Sequence, residues 1–213
     1  MVIKLINHKF ITFEGIDGSG KSTQIKLLNE WLDSQNIEKV NIREPGGESV
    51  SEAIRSILLS RDNKINSFSE TLLFLASRAQ LSDQIIIPAL KENKFVICDR
   101  FIDSTVVYQG YGRGLDIEFI KTINAIATQQ ILPFLTIFIN ISLKSSITRR
   151  AIENNDRMES SGDEFLLNVK NGYEKLANLY SDRIQTVNGE DTIDNVQKQI
   201  RKIVKEKYKG LLC

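Results

Sequence analysis

Histidine and cysteine are scarce in this sequence, and their scarcity excludes several classes of enzyme. The 213 residues include one histidine, His8, and two cysteines, Cys98 and Cys213. His8 lies in a polar N-terminal stretch, so a Ser-His-Asp or Cys-His hydrolase is implausible, and no Cys/His cluster offers a tetrahedral zinc site. Two isolated cysteines make no disulfide framework, so we expect reduced thiols. The side chains that remain as candidates for the chemistry are carboxylates and arginines.

The sequence also lacks an excess of either charge and any long hydrophobic run. Lys and Arg number 28 against 27 Asp and Glu, for a formal net charge of +1. No global field therefore indicates nucleic acid or a membrane as a partner. No apolar run approaches the length that spans a bilayer, and no signal-peptide pattern is present, so we expect a cytoplasmic protein. The basic run 198–209 is interpreted as the exposed face of a terminal helix rather than a nucleic-acid surface.

What the sequence does contain is a phosphate loop. Residues 15–22 match the pattern G-x-x-x-x-G-K-[ST] and follow the apolar run 10–13, which is typical of a buried strand. Glycines let backbone N–H groups curl around an anion, and the helix that follows adds the positive end of its dipole. A purely structural glycine-rich turn is disfavoured, because strand, loop and helix occur in the required order. The residues expected to bind a nucleoside triphosphate are Gly15, Ile16, Asp17, Gly18, Ser19, Gly20, Lys21, Ser22 and Thr23.

Short apolar runs alternate with helical patterns along the chain, which predicts an α/β fold with a parallel five-stranded sheet and helices on both faces. At 41% hydrophobic residues, a chain of this length is expected to form one domain, 1–213. The predicted strands lie near 10–14, 38–43, 95–99, 134–141 and 183–187. The predicted helices lie near 20–35, 48–60, 67–92, 116–130, 143–152, 163–182 and 192–207.

In such a sheet, ligands bind at the carboxyl ends of the strands. The chain places Arg43 and Asp99 at the ends of predicted strands, and Asp17 and Arg100 just after predicted strands. Asp99 closes the apolar run 95–98 and is interpreted as a Walker-B acid, which with Ser22 would hold Mg²⁺ or its water shell. A helix-capping role is the alternative for this aspartate, and it does not exclude the first.

Several blocks of the sequence resemble the thymidylate kinases, in the right order and from residue 10 to about 190. Residues 99–114 resemble the family's D-R-[YF]-x-x-S-T-x-A-Y-Q-G-x-G-R-G run, and residues 13–23 resemble its phosphate loop. The other matching blocks are 43–47 with R-E-P-G-G, 73–78 with the thymine-binding helix, and Asp156-Arg157 with the D-R of the mobile lid. A generic phosphate-loop protein would share only the phosphate loop.

The resemblance implies a P-loop kinase with a short mobile lid at about 149–162, which phosphorylates dTMP to dTDP with ATP and Mg²⁺ and forms no covalent intermediate. It also implies a homodimer that associates through a helical face. The catalytic residues that it implies are Lys21, Asp17, Arg100, Arg157 and Arg149.

The same resemblance places the acceptor nucleotide against Arg43, Phe74, Arg78, Arg100, Ser104, Thr105, Tyr108 and Gln109. Arg43 and Arg100 supply planar donor forks that suit a monophosphate. Phe74 and Arg78 lie one helical turn apart, so a base could stack on the ring while the guanidinium donates to a carbonyl. Tyr108 resembles the aromatic residue beneath C2′ that disfavours a ribose hydroxyl. For Phe74 and Tyr108 the alternative is a residue that simply packs in the core.

The sequence departs from the family pattern at a few positions. Val107 and Glu48 replace the usual Ala and Thr without removing an obvious catalytic group. Gly18 stands where one branch of the family carries an arginine, so a lid arginine is expected to contact the transferring group, although residues 151–155 contain none. Arg149, Arg150 and Arg157 are the candidates, with Arg157 and Arg149 favoured.

Two other functions stay open at this point. The chain could be a related kinase that acts on another deoxynucleotide or a nucleoside, or a nucleotide-gated binding module that hydrolyses slowly. No glutamine or glutamate is placed clearly to activate water, which disfavours the second. The 5-methyl group of thymine is worth about 1–3 kcal/mol in an apolar pocket, so dUMP is expected to be a poorer substrate rather than an excluded one.

Overall fold

The computed structural model of the chain describes residues 6–150, 157 and 162–210, without the side chains of Ile6, Asn7 and Arg150. Within these residues, parallel strands form a five-stranded sheet in the order β2-β3-β1-β4-β5. The strands are β1 Ile6–Glu14, β2 Lys39–Arg43, β3 Phe95–Asp99, β4 Leu132–Asn140 and β5 Ile184–Asn188. The predicted parallel sheet is confirmed, and β1 and β4 begin earlier than the sequence pattern indicated.

Helices connect the strands and cover the sheet. Their bounds are α1 Lys21–Ser34, α2 Ser49–Leu59, α3 Ser67–Leu81, α4 Ile87–Lys91, α5 Ile102–Thr105, α6 Ile117–Ala127, α7 Leu143–Arg150, α8 Asp163–Leu179 and α9 Ile193–Lys207. Most of the predicted helices are confirmed, and the predicted helix 67–92 is α3 and α4 joined by a π-helical turn, Ser82–Ile86. Positions 151 and 152 of another predicted helix lie outside the described residues. No helix in the described ranges is both long and apolar enough to cross a bilayer.

One helical segment has no counterpart in the sequence prediction. After β3, α5 continues directly into a π-helical stretch, Val106–Gly112. Two β-branched valines and two glycines lie in this stretch, and all four are poor helix formers. Tertiary packing overrides that preference, and the wider π turns bring the consecutive residues Tyr108 and Gln109 to the same cavity.

The core lies on both faces of the sheet, as the apolar character of β4 shows. Ile137 and Ile139 pack in a cluster with residues of α1 and α9. Phe138, between them, points to the opposite face and packs with residues of α8 and the π-helical stretch. A parallel strand that is buried on both faces must be apolar at successive positions, which explains the near-continuous apolar run predicted near 134–141.

Glycines set the distance between the π-helical stretch and α8. A Cβ at Gly112 would lie 2.5 Å from the Phe165 ring, and one at Gly172 would lie 2.7 Å from the Tyr111 ring. Only residues without side chains permit so close an approach. The approach fixes the segment that carries Tyr108 over the carboxyl end of the sheet.

An ion pair between Arg183 and Asp103 connects α5 to the sheet. Arg183 donates to both carboxylate oxygens of Asp103 at 2.7 and 2.8 Å, and to Thr136 Oγ1 of β4 at 2.7 Å. Thr136 is in turn bonded to Thr12 of β1, with 2.7 Å between the hydroxyl oxygens. These bonds connect the start of α5 to two central strands, so the residues that follow β3 have a rigid base.

Candidate active site

The phosphate loop forms as its sequence predicts, between the end of β1 and the start of α1. Gly15 has a φ of +145°, and a Cβ there would lie 2.6 Å from the carbonyl oxygen of Ile139, so the position requires glycine. The Lys21 side chain turns toward the start of the loop, and its Nζ donates to Gly15 O at 3.0 Å and to Ile16 O at 3.2 Å. Burial and the charge of Arg100 lower the pKa of the Lys21 ammonium. The loop thus holds a desolvated cation in place.

A cavity of about 520 Å³ opens beside this loop at the carboxyl edge of the sheet. It runs from the phosphate loop to the helices that follow β2 and β3. The sequence-predicted residues that line it are Asp17, Gly18, Gly20, Lys21, Ser22, Thr23, Arg43, Phe74, Arg78, Asp99, Arg100, Ser104, Thr105, Tyr108, Gln109 and Arg149. Most of the predicted site residues therefore lie around one space.

Arg100 occupies the centre of this cavity wall. It has a φ of +68°, an uncommon conformation for a residue with a side chain, which costs free energy and persists only where the surroundings hold it. Its Nη1 donates to Gly15 O at 3.0 Å and to Ser104 Oγ at 3.3 Å, and its Nη2 forms an ion pair with Asp17. These bonds hold the guanidinium between the phosphate loop and α5.

Two groups orient the Asp17 carboxylate: the charged guanidinium of Arg100 and the neutral hydroxyl of Tyr108. Burial opposes its ionisation, but the charges of Arg100 and Lys21 outweigh burial and hold the pKa of Asp17 below its usual value. The Tyr108 hydroxyl also donates to Asp17 Oδ2 at 3.2 Å, and the Arg100 guanidinium lies 5.1 Å from the centre of the Tyr108 ring. Burial raises the pKa of Tyr108, so its hydroxyl stays a donor. The structure thus gives Tyr108 a polar contact that the sequence did not indicate.

Sequence reasoning missed Glu14, the last residue of β1. Its carboxylate is fully buried and accepts four hydrogen bonds, from Phe101 N at 2.8 Å, Ser104 N at 3.2 Å, Ser104 Oγ at 2.6 Å and Tyr173 Oη at 2.7 Å. Burial, with a contribution from nearby Asp103, raises the pKa of Glu14 from 4.5 to about 7, although Arg100 and the hydrogen bonds oppose that rise. The only signal in the sequence was its position at the carboxyl end of a strand.

Arg78 forms the floor of the other end of the cavity and is 1% exposed. Its Nε donates to Glu44 Oε2 at 2.7 Å and its Nη2 to Phe101 O at 3.0 Å. Its Nη1 donates to Thr105 Oγ1 at 2.5 Å and to Asn124 Oδ1 at 2.6 Å. Contact between this guanidinium and a base stays a prediction, because protein acceptors already engage each of its nitrogens.

Phe74, one turn earlier on α3, is partly buried against the cluster that contains Tyr108. Its ring also lines the cavity, on the same wall as Arg78. Core packing and contact with a ligand are therefore compatible for this residue. Stacking of a base on the ring stays a prediction.

Two arginines meet at the loop after β2. Arg43 is half exposed, donates to Pro45 O at 3.2 Å and pairs with Glu52 of α2 at 3.0 Å. Arg55, which sequence reasoning missed, donates to the same carbonyl at 2.8 Å and lines the cavity. The signal in the sequence was its position one turn after Glu52, on the helix that follows the loop 43–47. Glu48, a departure from the family pattern, accepts from backbone N–H groups of α2 and caps that helix.

The two residues predicted to hold a metal lie together. Ser22 Oγ donates to Asp99 Oδ2 at 3.3 Å. The other carboxylate oxygen, Asp99 Oδ1, is buried and accepts no hydrogen bond from the residues that the structure describes. Hard oxygen atoms of this kind fit a divalent cation that shares its coordination with phosphate and water. Neither here nor elsewhere in the described ranges do three or more His, Cys, Asp or Glu side chains cluster as potential metal ligands.

The structure separates the two favoured lid arginines. Arg149 lies in the last turn of α7 beside the phosphate loop, where it donates to Gly18 O at 3.3 Å and to Gly189 O at 3.1 Å. Arg157 instead donates to Leu58 O and to Glu70 Oε2, both at 2.7 Å. The remaining lid residues, 151–156 and 158–161, and the Arg150 side chain lie outside the described residues.

Comparison with known proteins gives a consistent result. The family model described as "Thymidylate kinase" matches residues 13–200. Thymidylate kinases of Caldanaerobacter subterraneus subsp. tengcongensis and Thermosipho africanus are 45% and 47% identical to the chain, covering 95% and 92% of it and 97% and 98% of their own lengths. The crystal structure of the thymidylate kinase from Ehrlichia chaffeensis superimposes with a TM-score of 0.78 at 36% identity, covering 93% of this chain and 99% of that one.

The raised pKa of Glu14 predicts how the stability of the folded chain depends on pH. Because its pKa is about 7 in the folded chain and 4.5 in the unfolded one, the folded state binds the extra proton between these values, and the free energy of unfolding must fall as the pH rises through this window. Relative to Glu14→Gln, the free energy of unfolding of the natural protein should fall by up to about 3 kcal/mol as the pH rises from 4.5 through 7, and it should level off by about pH 8.

Urea unfolding of both proteins at a series of pH values from about 4 to 8.5 measures this difference in the free energy of unfolding. Glu30→Gln, an exposed glutamate of α1, is the matched control and should run parallel to the natural protein. A difference between the natural protein and Glu14→Gln that stays constant with pH would contradict the prediction.

Proposed function

The chain belongs to the thymidylate kinase family, and we propose that it transfers the γ-phosphoryl group of ATP to dTMP, giving ADP and dTDP. The observation that carries this function is the continuous cavity between the phosphate loop and the residues around Arg78. A donor that is bound at the loop and an acceptor that is bound at the other end would bring their phosphates together near Arg100.

The donor triphosphate binds along residues 15–23. Backbone N–H groups of the loop donate to the phosphates, and the N-terminus of α1 adds the positive end of its helix dipole. Lys21 stabilises the negative charge on the phosphoryl group as it is transferred. Lys21 is held by carbonyl oxygens of the loop itself, so the binding of phosphate exchanges weak neutral acceptors for charged ones.

The acceptor binds with its monophosphate at Arg43 and Arg100 and its base between Phe74, Arg78, Thr105 and Gln109. Arg43 and Arg100 are each already paired with a carboxylate, Glu52 and Asp17 respectively. Those carboxylates keep the guanidinium forks pointed at the cavity. Ser104 and Tyr108 also line the cavity, and in this proposal they lie beside the sugar and phosphate, with the Tyr108 ring beneath C2′.

Asp99 and Ser22 are the residues that would hold Mg²⁺. When bound there, Mg²⁺ would neutralise part of the negative charge of the ATP phosphates. The protein's own task is to position the two anions and to balance charge on the transferring group, so no general base and no covalent intermediate are needed. Asp17 contributes by fixing the direction of Arg100.

The molecule works as one kinase domain in the cytoplasm and as a homodimer. Support for a dimer comes from an apolar surface on α3 and α6, where Phe68 and Phe119 stack with 5.6 Å between ring centres. Leu72 and Ile126 extend that surface and are 48% and 72% exposed. Isolated monomers seldom leave so many large apolar side chains together in water, so a second copy is the partner we propose for them.

The first experiment tests the reaction itself. Purified protein with ATP and Mg²⁺ should form ADP and dTDP with dTMP, more slowly with dUMP, and very slowly with thymidine or with water alone. Lys21→Ala should fold normally and lose turnover by about 10²-fold or more, because it removes a cation that stabilises the transition state. Lys26→Ala, an exposed lysine on the same helix, is the control. Turnover of Lys21→Ala close to the natural rate would contradict the assignment of the donor site.

A second experiment ranks the lid arginines. Arg149 lies at the phosphate loop and Arg157 lies on Glu70, so Arg149→Ala should lower kcat more than Arg157→Ala does at saturating ATP and dTMP. An arginine that contacts the transferring group is worth roughly 10³-fold in kcat. Lys144→Ala on α7 controls for changes in that helix. Equal, natural kcat values in both arginine variants would leave the charge to Lys21, Arg100 and Mg²⁺ and would disprove the lid assignment.

A third experiment tests the dimer. Sedimentation equilibrium should give twice the chain mass of 24.2 kDa. Phe119→Asp should shift the mass to that of the monomer, because a charge in the apolar surface is costly to bury, while Lys121→Asp on the opposite side of the helix should not. A natural protein that sediments as a monomer at all concentrations would refute the proposal.

A further inference from the structure

A buried carboxylate outside the phosphate-transfer machinery, Glu70 of α3, is the starting point. Glu70 is 1% exposed and lies in the first turn of the helix that carries Phe74 and Arg78. It accepts hydrogen bonds from Arg113 Nε at 3.2 Å, Arg157 Nη1 at 2.7 Å and Gln109 Nε2 at 2.9 Å. Two guanidinium groups balance its charge, so burial of the carboxylate is tolerated. Its third partner, Gln109, lines the cavity.

The contact with Glu70 decides which way the Gln109 amide faces. An amide can turn either its NH₂ group or its oxygen to a neighbour, but a carboxylate flanked by two guanidinium groups only accepts hydrogen bonds. The NH₂ group of Gln109 must therefore face Glu70, which leaves Oε1 for the cavity. Among the residues that the structure describes, no protein donor reaches this oxygen, and it is not sealed from the cavity.

Thr105, on the same wall, presents the complementary group. Its Oγ1 accepts a hydrogen bond from Arg78 Nη1 at 2.5 Å, so its own hydroxyl hydrogen is free to donate. This end of the cavity thus offers one fixed acceptor, Gln109 Oε1, and one donor, the Thr105 hydroxyl. A pyrimidine ring with an N–H group next to a carbonyl matches that pair, as thymine and uracil do. Cytosine has a bare ring nitrogen instead, whose lone pair would face the lone pairs of Oε1.

We propose that Glu70 is a positioning residue that locks the Gln109 amide with its oxygen toward the cavity, so that the enzyme selects pyrimidine monophosphates with a ring N–H and rejects dCMP. The proposal rests on the proposed function and deepens its acceptor specificity. It assigns the rejection of cytosine to hydrogen-bond polarity. The binding energy of the thymine methyl group cannot explain that rejection. The methyl group distinguishes thymine from uracil, but both of these bases carry the ring N–H that cytosine lacks.

The test compares kcat/KM for dTMP and dCMP. In Glu70→Gln the neighbour of Gln109 can donate as well as accept, so the amide can turn and the dTMP to dCMP ratio should fall by at least about tenfold. KM for ATP should stay at its natural value, because the donor end of the cavity is untouched. Arg113→Lys is the matched control: it alters the same cluster but keeps Glu70 charged, and it should retain the natural ratio.

A second variant keeps the proposal testable if Glu70→Gln unfolds, which thermal unfolding would reveal. Gln109→Met preserves the size of the side chain and removes the amide, so it should also lower the dTMP to dCMP ratio by at least about tenfold. An unchanged ratio in the folded variants, with dTMP and dCMP turnover reduced alike, would overturn the proposal and leave Glu70 a purely structural role. Failure of the natural protein to phosphorylate dTMP would instead overturn the proposed function, so the two failures are distinguishable.

Discussion

The site depends on a buried carboxylate at the end of the central strand. Glu14 is the last residue of β1, and its carboxylate accepts hydrogen bonds from the backbone N–H groups of Phe101, in the turn after β3, and of Ser104, in α5. The phosphate loop begins at the next residue, so one side chain ties the donor-binding loop to the turn that carries Arg100. Tyr173 of α8 binds the same carboxylate at 2.7 Å and brings a third element to this point. Desolvating a carboxylate is costly, and the four hydrogen bonds offset part of that cost.

A second constraint is that Arg100, Arg43 and Lys21 are already held by protein acceptors before a substrate binds. Asp17 holds Arg100, and Glu52 holds Arg43. Lys21 rests on carbonyl oxygens of its own loop. Charged side chains that are fixed in this way lose little conformational freedom when phosphates bind. The arrangement suits a phosphoryl transfer in which position and charge balance replace covalent chemistry.

The sequence was sufficient for the parts of the molecule that depend on local pattern. Apolar runs predicted the five strands, and the glycine spacing predicted a loop in which Gly15 has no room for a side chain. Residues directly after strands were sound candidates for the site because parallel strands end at one edge. The segment 102–112 was missed, since its valines and glycines have low helix propensity and its π-helical part packs against α8, a contact between residues distant in the sequence. Glu14 and Glu70 were missed for another reason: their partners lie tens of residues away, where no local spacing can indicate them.

The central claim is that one rigid cavity holds donor and acceptor end to end, and a bisubstrate analogue tests it most directly. The analogue joins adenosine to thymidine through a polyphosphate chain, and calorimetry would compare its affinity with those of ATP and dTMP. If both sites share the cavity in line, the linked molecule should bind at least about 10²-fold more tightly than either substrate, because the second contact becomes intramolecular. An affinity no greater than that of ATP alone, or competition with only one of the two substrates, would contradict the account.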